Sequence, residues 1–189
     1  IDPSSFLKAL KSTIFASSSD DSKQLLTGVN FTFKPNYLES ASTDGHRLAV
    51  ALIGNEEHIE HKENLSSNDG DLSVTIPTRS LREIEKLVSL RSSENSIKLF
   101  YDKGQVVFIS SSQIITTRTL EGTYPNYSQL IPDTFSKILN FNTKKLIDAL
   151  ERIAVLADQQ SSVVKIKLDN TDLASISADA QDIGNANES

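Results

Sequence analysis

The 189-residue chain carries 19 Lys/Arg against 25 Asp/Glu, a formal charge of −6, with 38% apolar and 23% charged residues. This length accommodates one or two domains with a real core. No run of eighteen apolar residues exists to span a membrane, and the absence of cysteine excludes disulfides, thiolate metal sites and a cysteine nucleophile. Residues 1–5 lack the basic and apolar regions of a secretory signal, so the expected compartment is the cytoplasm.

The chain opens with Asp2 as an N-cap and Pro3 at the first helical position of a helix over 3–17, whose apolar stripe is Phe6, Leu7, Leu10 and Ile14. Strands are predicted over 25–33 and 38–42, turning at Lys34-Pro35-Asn36. Then comes Thr43-Asp44-Gly45-His46-Arg47-Leu48-Ala49-Val50, where an Asp-Gly pair between apolar runs signals a hairpin because glycine accepts positive φ. His46 and Arg47 stand at the mouth of the strand over 47–53, with Leu48 and Val50 on one face and Ala49 on the other. Such a turn could form one wall of a binding pocket.

A polar loop follows. Its Glu56-Glu57-His58-Ile59-Glu60-His61 segment spaces two histidines as a zinc site would, but no apolar frame orients them, so no metal is expected. After a strand over 72–76, Pro77 precedes a helix over 78–91 with the stripe Leu81, Ile84, Leu87 and Val88, and Ser80 with Glu83 suits a capping box. Strands over 97–101 and 105–110 join through Asp102-Lys103-Gly104, and another is predicted over 114–120. A third helix over 143–158 starts near Asn142 or Thr143 and turns Leu146, Ile147, Leu150, Ile153 and Ala154 inward. Strands over 163–168 and 173–178 follow, joined through Asp169-Asn170.

A helix followed at similar distance by a hairpin thus occurs three times, the mark of a duplicated supersecondary unit. Antiparallel sheets covered on one face by helices give an α+β fold. Two units form a pseudo-symmetric domain over about 1–126, and the third lacks a second half. The three predicted helices hold nine Lys/Arg against five Asp/Glu, while the remainder holds ten against twenty. Positive helices on an acidic body suit a protein that presents one face to phosphates.

The octapeptide at 43–50 resembles the signature of the bacterial DNA polymerase III beta subunit, the replicative sliding clamp. Ile76-Pro77-Thr78-Arg79, the connector-like Leu120-Glu121-Gly122-Thr123-Tyr124-Pro125-Asn126-Tyr127-Ser128-Gln129-Leu130-Ile131-Pro132 and Ile176-Ser177-Ala178-Asp179-Ala180-Gln181-Asp182 match that family in order. The resemblance implies a DNA clamp fold built from duplicated β-α-β-β-β units. Residues 1–126 then correspond to the middle domain, most of its first strand missing, and 127–189 to the first half of the C-terminal domain.

The same resemblance implies a non-catalytic processivity subunit without cofactor. Its partners are duplex DNA, encircled by a head-to-tail homodimer, and the polymerase catalytic subunit and clamp loader, held through short peptides rich in Gln, Leu and Phe. Carried onto this chain, the peptide site comprises Leu26, Thr43, Gly45, His46, Arg47 and Leu48, with Pro125, Gln129 and Leu130 from the connector. Gln129 stands where many relatives have arginine, which removes an ionic contact. The DNA-facing candidates are Lys8, Lys11, Lys23, Arg79, Arg82, Lys86, Lys144, Lys145 and Arg152, attracting phosphates without reading bases.

Two other classes fit some of these residues. Asp44 and His46 could serve a hydrolase as acid and base with Thr43 or a distant serine as nucleophile. The basic helices alone could make a purely electrostatic DNA-binding module.

Overall fold

The computed structural model describes residues 1–54, 72–89, 96–110, 113–132, 134–155, 163–168, 174–180 and 184–188. The chain divides into two compact units, Ile1–Pro132 and Asp133–Ser189.

In the first unit, helix α1 (Pro3–Thr13) starts as its sequence dictates: Asp2 accepts from the Ser5 amide at 2.8 Å and Pro3 occupies the first turn. Strands β1 (Gly28–Phe33), β2 (Tyr37–Thr43), β3 (Leu48–Gly54) and β4 (Leu72–Pro77) form an antiparallel sheet in the order β3-β2-β1-β4. Helix α2 (Thr78–Ser89) follows β4 directly. Strands β5 (Lys98–Asp102), β6 (Gln105–Ser110) and β7 (Gln113–Arg118) form a second sheet in sequence order. Its first turn places Lys103 at φ 46° and Gly104 at φ 75°, the left-handed pair that matches the twist of a tight hairpin.

Strand alternation sorts the first sheet into two faces. Val29 and Phe31 of β1 with Val74 and Ile76 of β4 meet Phe6 and Leu10 of α1, Leu81 and Ile84 of α2, and Val106 and Phe108 of β6 in one core. Full burial of each such side chain contributes about 1.5–3 kcal/mol. On β1 and β4 the opposite face is polar, while on β3 it carries Leu48, Val50 and Leu52. Asn30 donates to Ser73 Oγ at 2.9 Å and Thr75 Oγ1 at 3.1 Å, and Glu39 pairs across the ladder with Thr32. Buried polar groups must be hydrogen-bonded, so this face needs a partner that answers in kind. The segment after β7 supplies one, beginning with Leu120, whose amide donates to Thr75 O at 2.8 Å.

In the second unit, helix α3 (Thr143–Ala154) is capped by Asn142, which accepts from the Lys145 amide at 3.1 Å. Strands β8 (Lys165–Leu168), β9 (Ala174–Ala180) and β10 (Gly184–Glu188) form a sheet in the order β10-β9-β8. The helix-plus-three-strand pattern of α1 with β1–β3 and α2 with β5–β7 therefore recurs a third time.

Several expectations need correction. The first helix ends at Thr13 and tightens into a 3₁₀ turn at Ile14–Ala16. The strand expected from residue 25 begins at Gly28, because Asp20 accepts from the Ser22 amide at 2.9 Å and starts a 3₁₀ segment, Asp21–Thr27. Ser80 and Glu83 do not form a capping box. The helix begins at Thr78, so Ser80 lies inside its first turn and accepts from Thr117 Oγ1 at 2.8 Å, while Glu83 pairs with Lys86 at 3.0 Å. On α3, Ala149 and Ile153 are buried and Leu146 and Leu150 half-buried, but Ile147 and Ala154 face outward. The His58/His61 segment and the Asp169-Asn170 turn lie outside the described residues.

Candidate partner-peptide site and basic helix faces

The β2–β3 hairpin is closed by a ladder pair, Thr43 with Leu48, leaving four loop residues. Asp44 organises them. One carboxylate oxygen accepts from the amides of His46 and Arg47 at 2.8 and 3.0 Å, and the other accepts from Arg47 Nε at 3.0 Å. These amide donors, foremost that of His46, hold the Asp44 carboxyl down at about 2. Thr43 completes the loop, its hydroxyl donating to Arg47 O at 2.7 Å and accepting from Gly45 N at 3.0 Å. Gly45 sits at φ 96°, a region that disfavours any side chain. The result is a rigid turn that turns His46 and Arg47 outward, both exposed.

Around this turn the fold gathers other parts of the chain. The Arg47 guanidinium lies 5.8 Å from the centre of the Phe15 ring. Ser42 Oγ donates to Thr13 O, and the Ser18 amide donates to Leu26 O at 2.9 Å, so Leu26 is tied to the same 3₁₀ region that carries Phe15. Lys23 Nζ approaches Asp44 O at 3.4 Å. Thr43 N donates to Tyr124 Oη at 3.0 Å, which brings Tyr124, the neighbour of Pro125, against the hairpin. Gln129 and Leu130 lie on a 3₁₀ turn, Ser128–Leu130, and both are exposed, Leu130 by 68%.

Of the nine residues expected in a peptide site, Thr43, Gly45, Arg47 and Leu48 are joined by hydrogen bonds or the ladder, and His46 is carried on the same turn. Leu26 is linked to Ser18 by a backbone bond and Pro125 follows Tyr124 in the chain, while Gln129 and Leu130 sit together on their own 3₁₀ turn. Sequence reading missed Phe15, Tyr124 and Tyr127. Phe15 counted as nothing more than part of a helix that in fact ends before it, and the tyrosines act across more than 80 positions. A cavity of about 660 Å³, lined among others by Asn30, Glu39, Thr75, Tyr124 and Tyr127, lies between the connector and the polar sheet face.

All nine basic candidates are exposed. Lys8 and Lys11 share a face of α1, and Arg79, Arg82 and Lys86 share the face of α2 opposite Leu81 and Ile84. Lys86 has its charge partly answered by Glu83. Lys23 stands by the hairpin turn, and Lys144, Lys145 and Arg152 belong to α3 of the second unit. Among the described residues, no group of three or more His, Asp or Glu could hold a metal ion, and no helix is long and apolar enough to cross a membrane.

The arrangement is that of a two-sheet domain with a rigid turn that exposes His46 and Arg47 and with basic residues on its helices. Residues 1–126 match the family described as DNA polymerase III beta subunit, central domain, and residues 128–189 match the same subunit's C-terminal domain. The chain is 44% identical to the beta sliding clamp of Synechococcus elongatus over 98% of this chain and 48% of that protein. It is 40% identical to the beta sliding clamp of Synechocystis over 96% of this chain and 47% of that protein. The crystal structure of the DNA polymerase III beta chain from Streptococcus pneumoniae superposes with a TM-score of 0.82 at 30% identity, covering 100% of this chain and 47% of that one. The Bacillus subtilis DNA polymerase sliding clamp gives 0.85 at 27%, with coverage of 100% and 47%. The chain belongs to the DNA polymerase III beta subunit family, the beta sliding clamps. It spans about half the length of the curated relatives it matches.

Proposed function

We propose that this chain is the middle domain and the first half of the last domain of a replicative sliding clamp. It acts as a non-catalytic processivity subunit of the DNA polymerase. In the full-length protein two copies close head to tail around duplex DNA, and the hairpin site holds short peptides of the polymerase catalytic subunit and the clamp loader. Tethering by topology and a peptide contact raises the polymerase's effective concentration at the primer end. The Thr43–Leu48 hairpin carries this reading, because Thr43 and Asp44 satisfy the amides of Gly45, His46 and Arg47 within the turn and hold the His46 and Arg47 side chains at the surface.

The same observation counts against hydrolysis. Asp44 is spent on two backbone amides and a guanidinium, which lowers its basicity, so it is a poor partner for an acid–base pair with His46. The basic residues Lys8, Lys11, Arg79, Arg82 and Lys86 of α1 and α2 are exposed, which suits weak, non-specific attraction that lets a ring slide.

The test is to load the full-length protein onto nicked circular DNA with its loader and then linearise the circle. A clamp stays on the circle at high salt and runs off the linear form. Retention that ignores DNA ends and falls only with salt would leave an electrostatic module.

A further inference from the structure

We propose that Tyr124 and Tyr127 are positioning residues, a two-point latch that fastens the connector to strand β2 and so unites hairpin and connector into one peptide-binding surface. This rests on the peptide-binding reading above.

Both anchor points lie on β2. Tyr127 Oη donates to Glu39, which is 2% exposed, and the Thr43 amide donates to Tyr124 Oη at 3.0 Å. Glu39 and Thr43 are four residues apart on one strand, about 13 Å at the strand rise. Tyr124 meets Thr43 and Tyr127, three residues later, meets Glu39, so the connector runs along β2 in the opposite sense. The two rings pack edge to face at 6.3 Å and 75°, which ties the anchors to each other. Upstream, the connector is already held at Leu120 by Thr75, and Gly122 (φ 122°) lies where an added Cβ would meet Leu25 at 3.6 Å.

Each anchor controls a different part of the site. Thr43 N belongs to the residue whose hydroxyl closes the recognition turn, so the Tyr124 bond fixes the turn's base. Tyr127 O accepts from the Leu130 amide at 3.0 Å, the bond that closes the 3₁₀ turn carrying Gln129 and Leu130. Pro125 lies between the anchors. Leu48, paired with Thr43, shares the sheet face that Tyr124 approaches. A partner segment with apolar side chains would therefore meet Leu48 from the hairpin and Pro125 and Leu130 from the connector in a geometry set by two phenols it need not touch. Held open by solvent instead, the connector would pay its ordering entropy at each binding event.

The experiment uses the full-length protein and a fluorescein-labelled peptide of the Gln-, Leu- and Phe-rich class, with Tyr124→Phe, Tyr127→Phe, Leu130→Ala and, as control, Tyr101→Phe. The phenylalanine variants keep the rings and lose only the hydroxyls. The expected result is about a tenfold weaker Kd for each latch variant, carried by a faster dissociation rate. The melting temperature of DNA-free Tyr124→Phe protein stays within a few degrees, that of Tyr127→Phe falls further because buried Glu39 loses a donor, and Tyr101→Phe is unchanged. Adding Tyr127→Phe to Leu130→Ala then costs less than it does alone, since the tyrosine acts through that turn. Latch variants that bind within twofold of the parent while Leu130→Ala loses binding would overturn the latch and leave the peptide site standing. For Tyr124→Phe, weaker binding accompanied by a proportionate fall in melting temperature would also overturn it, as a general structural effect. Failure of the unsubstituted protein to bind the peptide would remove the site itself.

Discussion

The ring of Phe6 packs 5.9 Å, centre to centre, from that of Phe108, so that helix α1 of the first repeat touches strand β6 of the second. Phe6 also lies 6.3 Å from Phe31 on β1 and is completely buried. One side chain thus bridges both sheets. Phe6→Ala should cost about 3–5 kcal/mol through lost transfer energy and a cavity. Phe6→Leu should cost markedly less, and urea denaturation of the two variants checks the difference. Equal costs would mean that the ring's contacts with the second sheet contribute nothing.

The hold of Asp44 on the turn's amides should persist until strongly acidic conditions. Asp44 is lowered from 3.8 to about 2 by the His46 and Arg47 amides, so its ionised form favours the folded turn. That stabilisation is present above pH 4 and lost as pH falls toward 2. Amide NMR shifts of His46 and Arg47 should titrate with a midpoint near 2. A midpoint near 4 would mean the carboxylate is not engaged.

At the other end of the scale, burial raises the Tyr124 phenol from 10.0 to about 12, the Thr43 amide opposing it. Burial, then the hydrogen bond and charge of Glu39, raises Tyr127 as well. Because the folded values exceed the unfolded ones, this contribution to stability is full below pH 10 and disappears as pH rises through the folded values. Subtracting the 295 nm titration of Tyr124→Phe from that of the parent should isolate a phenolate appearing near pH 12. Appearance near pH 10 would contradict its burial.

Two glycines should respond differently to alanine. At Gly45 the added methyl meets nothing within 4 Å, and the cost, about 1 kcal/mol, comes from φ 96° alone. At Gly28 the methyl would approach Thr75 Cγ2 at 2.7 Å, Ile76 O at 2.8 Å and Leu120 Cδ1 at 2.8 Å. Backbone and ladder must yield there, and Gly28→Ala should destabilise the unit more than Gly45→Ala in thermal melts. Gly45→Ala should instead show its larger effect on peptide affinity.

For the DNA face, replacing Lys8, Lys11, Arg79 and Arg82 by glutamine in the full-length protein should weaken DNA association at low salt. The slope of log affinity against log salt should fall by about 0.9 for each phosphate contact removed. An unchanged slope would move the DNA-facing surface elsewhere.

Much of this architecture is legible in the chain because its signals are local. Asp2-Pro3 and Asn142 announce helix starts through capping chemistry that needs only three following residues, and Lys103-Gly104 announces its turn through φ. What stays hidden depends on partners distant in sequence. Ser80 reads as a cap until Pro77 is seen to end β4 immediately before the helix. Gly184-Asn185-Ala186-Asn187-Glu188 has little strand propensity, yet it pairs with β9 from Ala180 to Ile176, and the ladder overrides propensity. The recognition turn was legible in Thr43–Leu48, whereas the phenols that hold the connector against it carry no periodicity or motif of their own.

The Tyr127–Glu39 contact also constrains how such a chain can drift. Loss of the phenol would leave a deeply buried carboxylate with fewer donors, and loss of the carboxylate would leave the hydroxyl under the connector without its acceptor. Either change alone is a step downhill in fitness, although both together, to a well-packed apolar pair, need not be. Positions 39 and 127 should therefore vary as a pair across related sequences, and lineages should be found holding one solution or the other rather than a mixture.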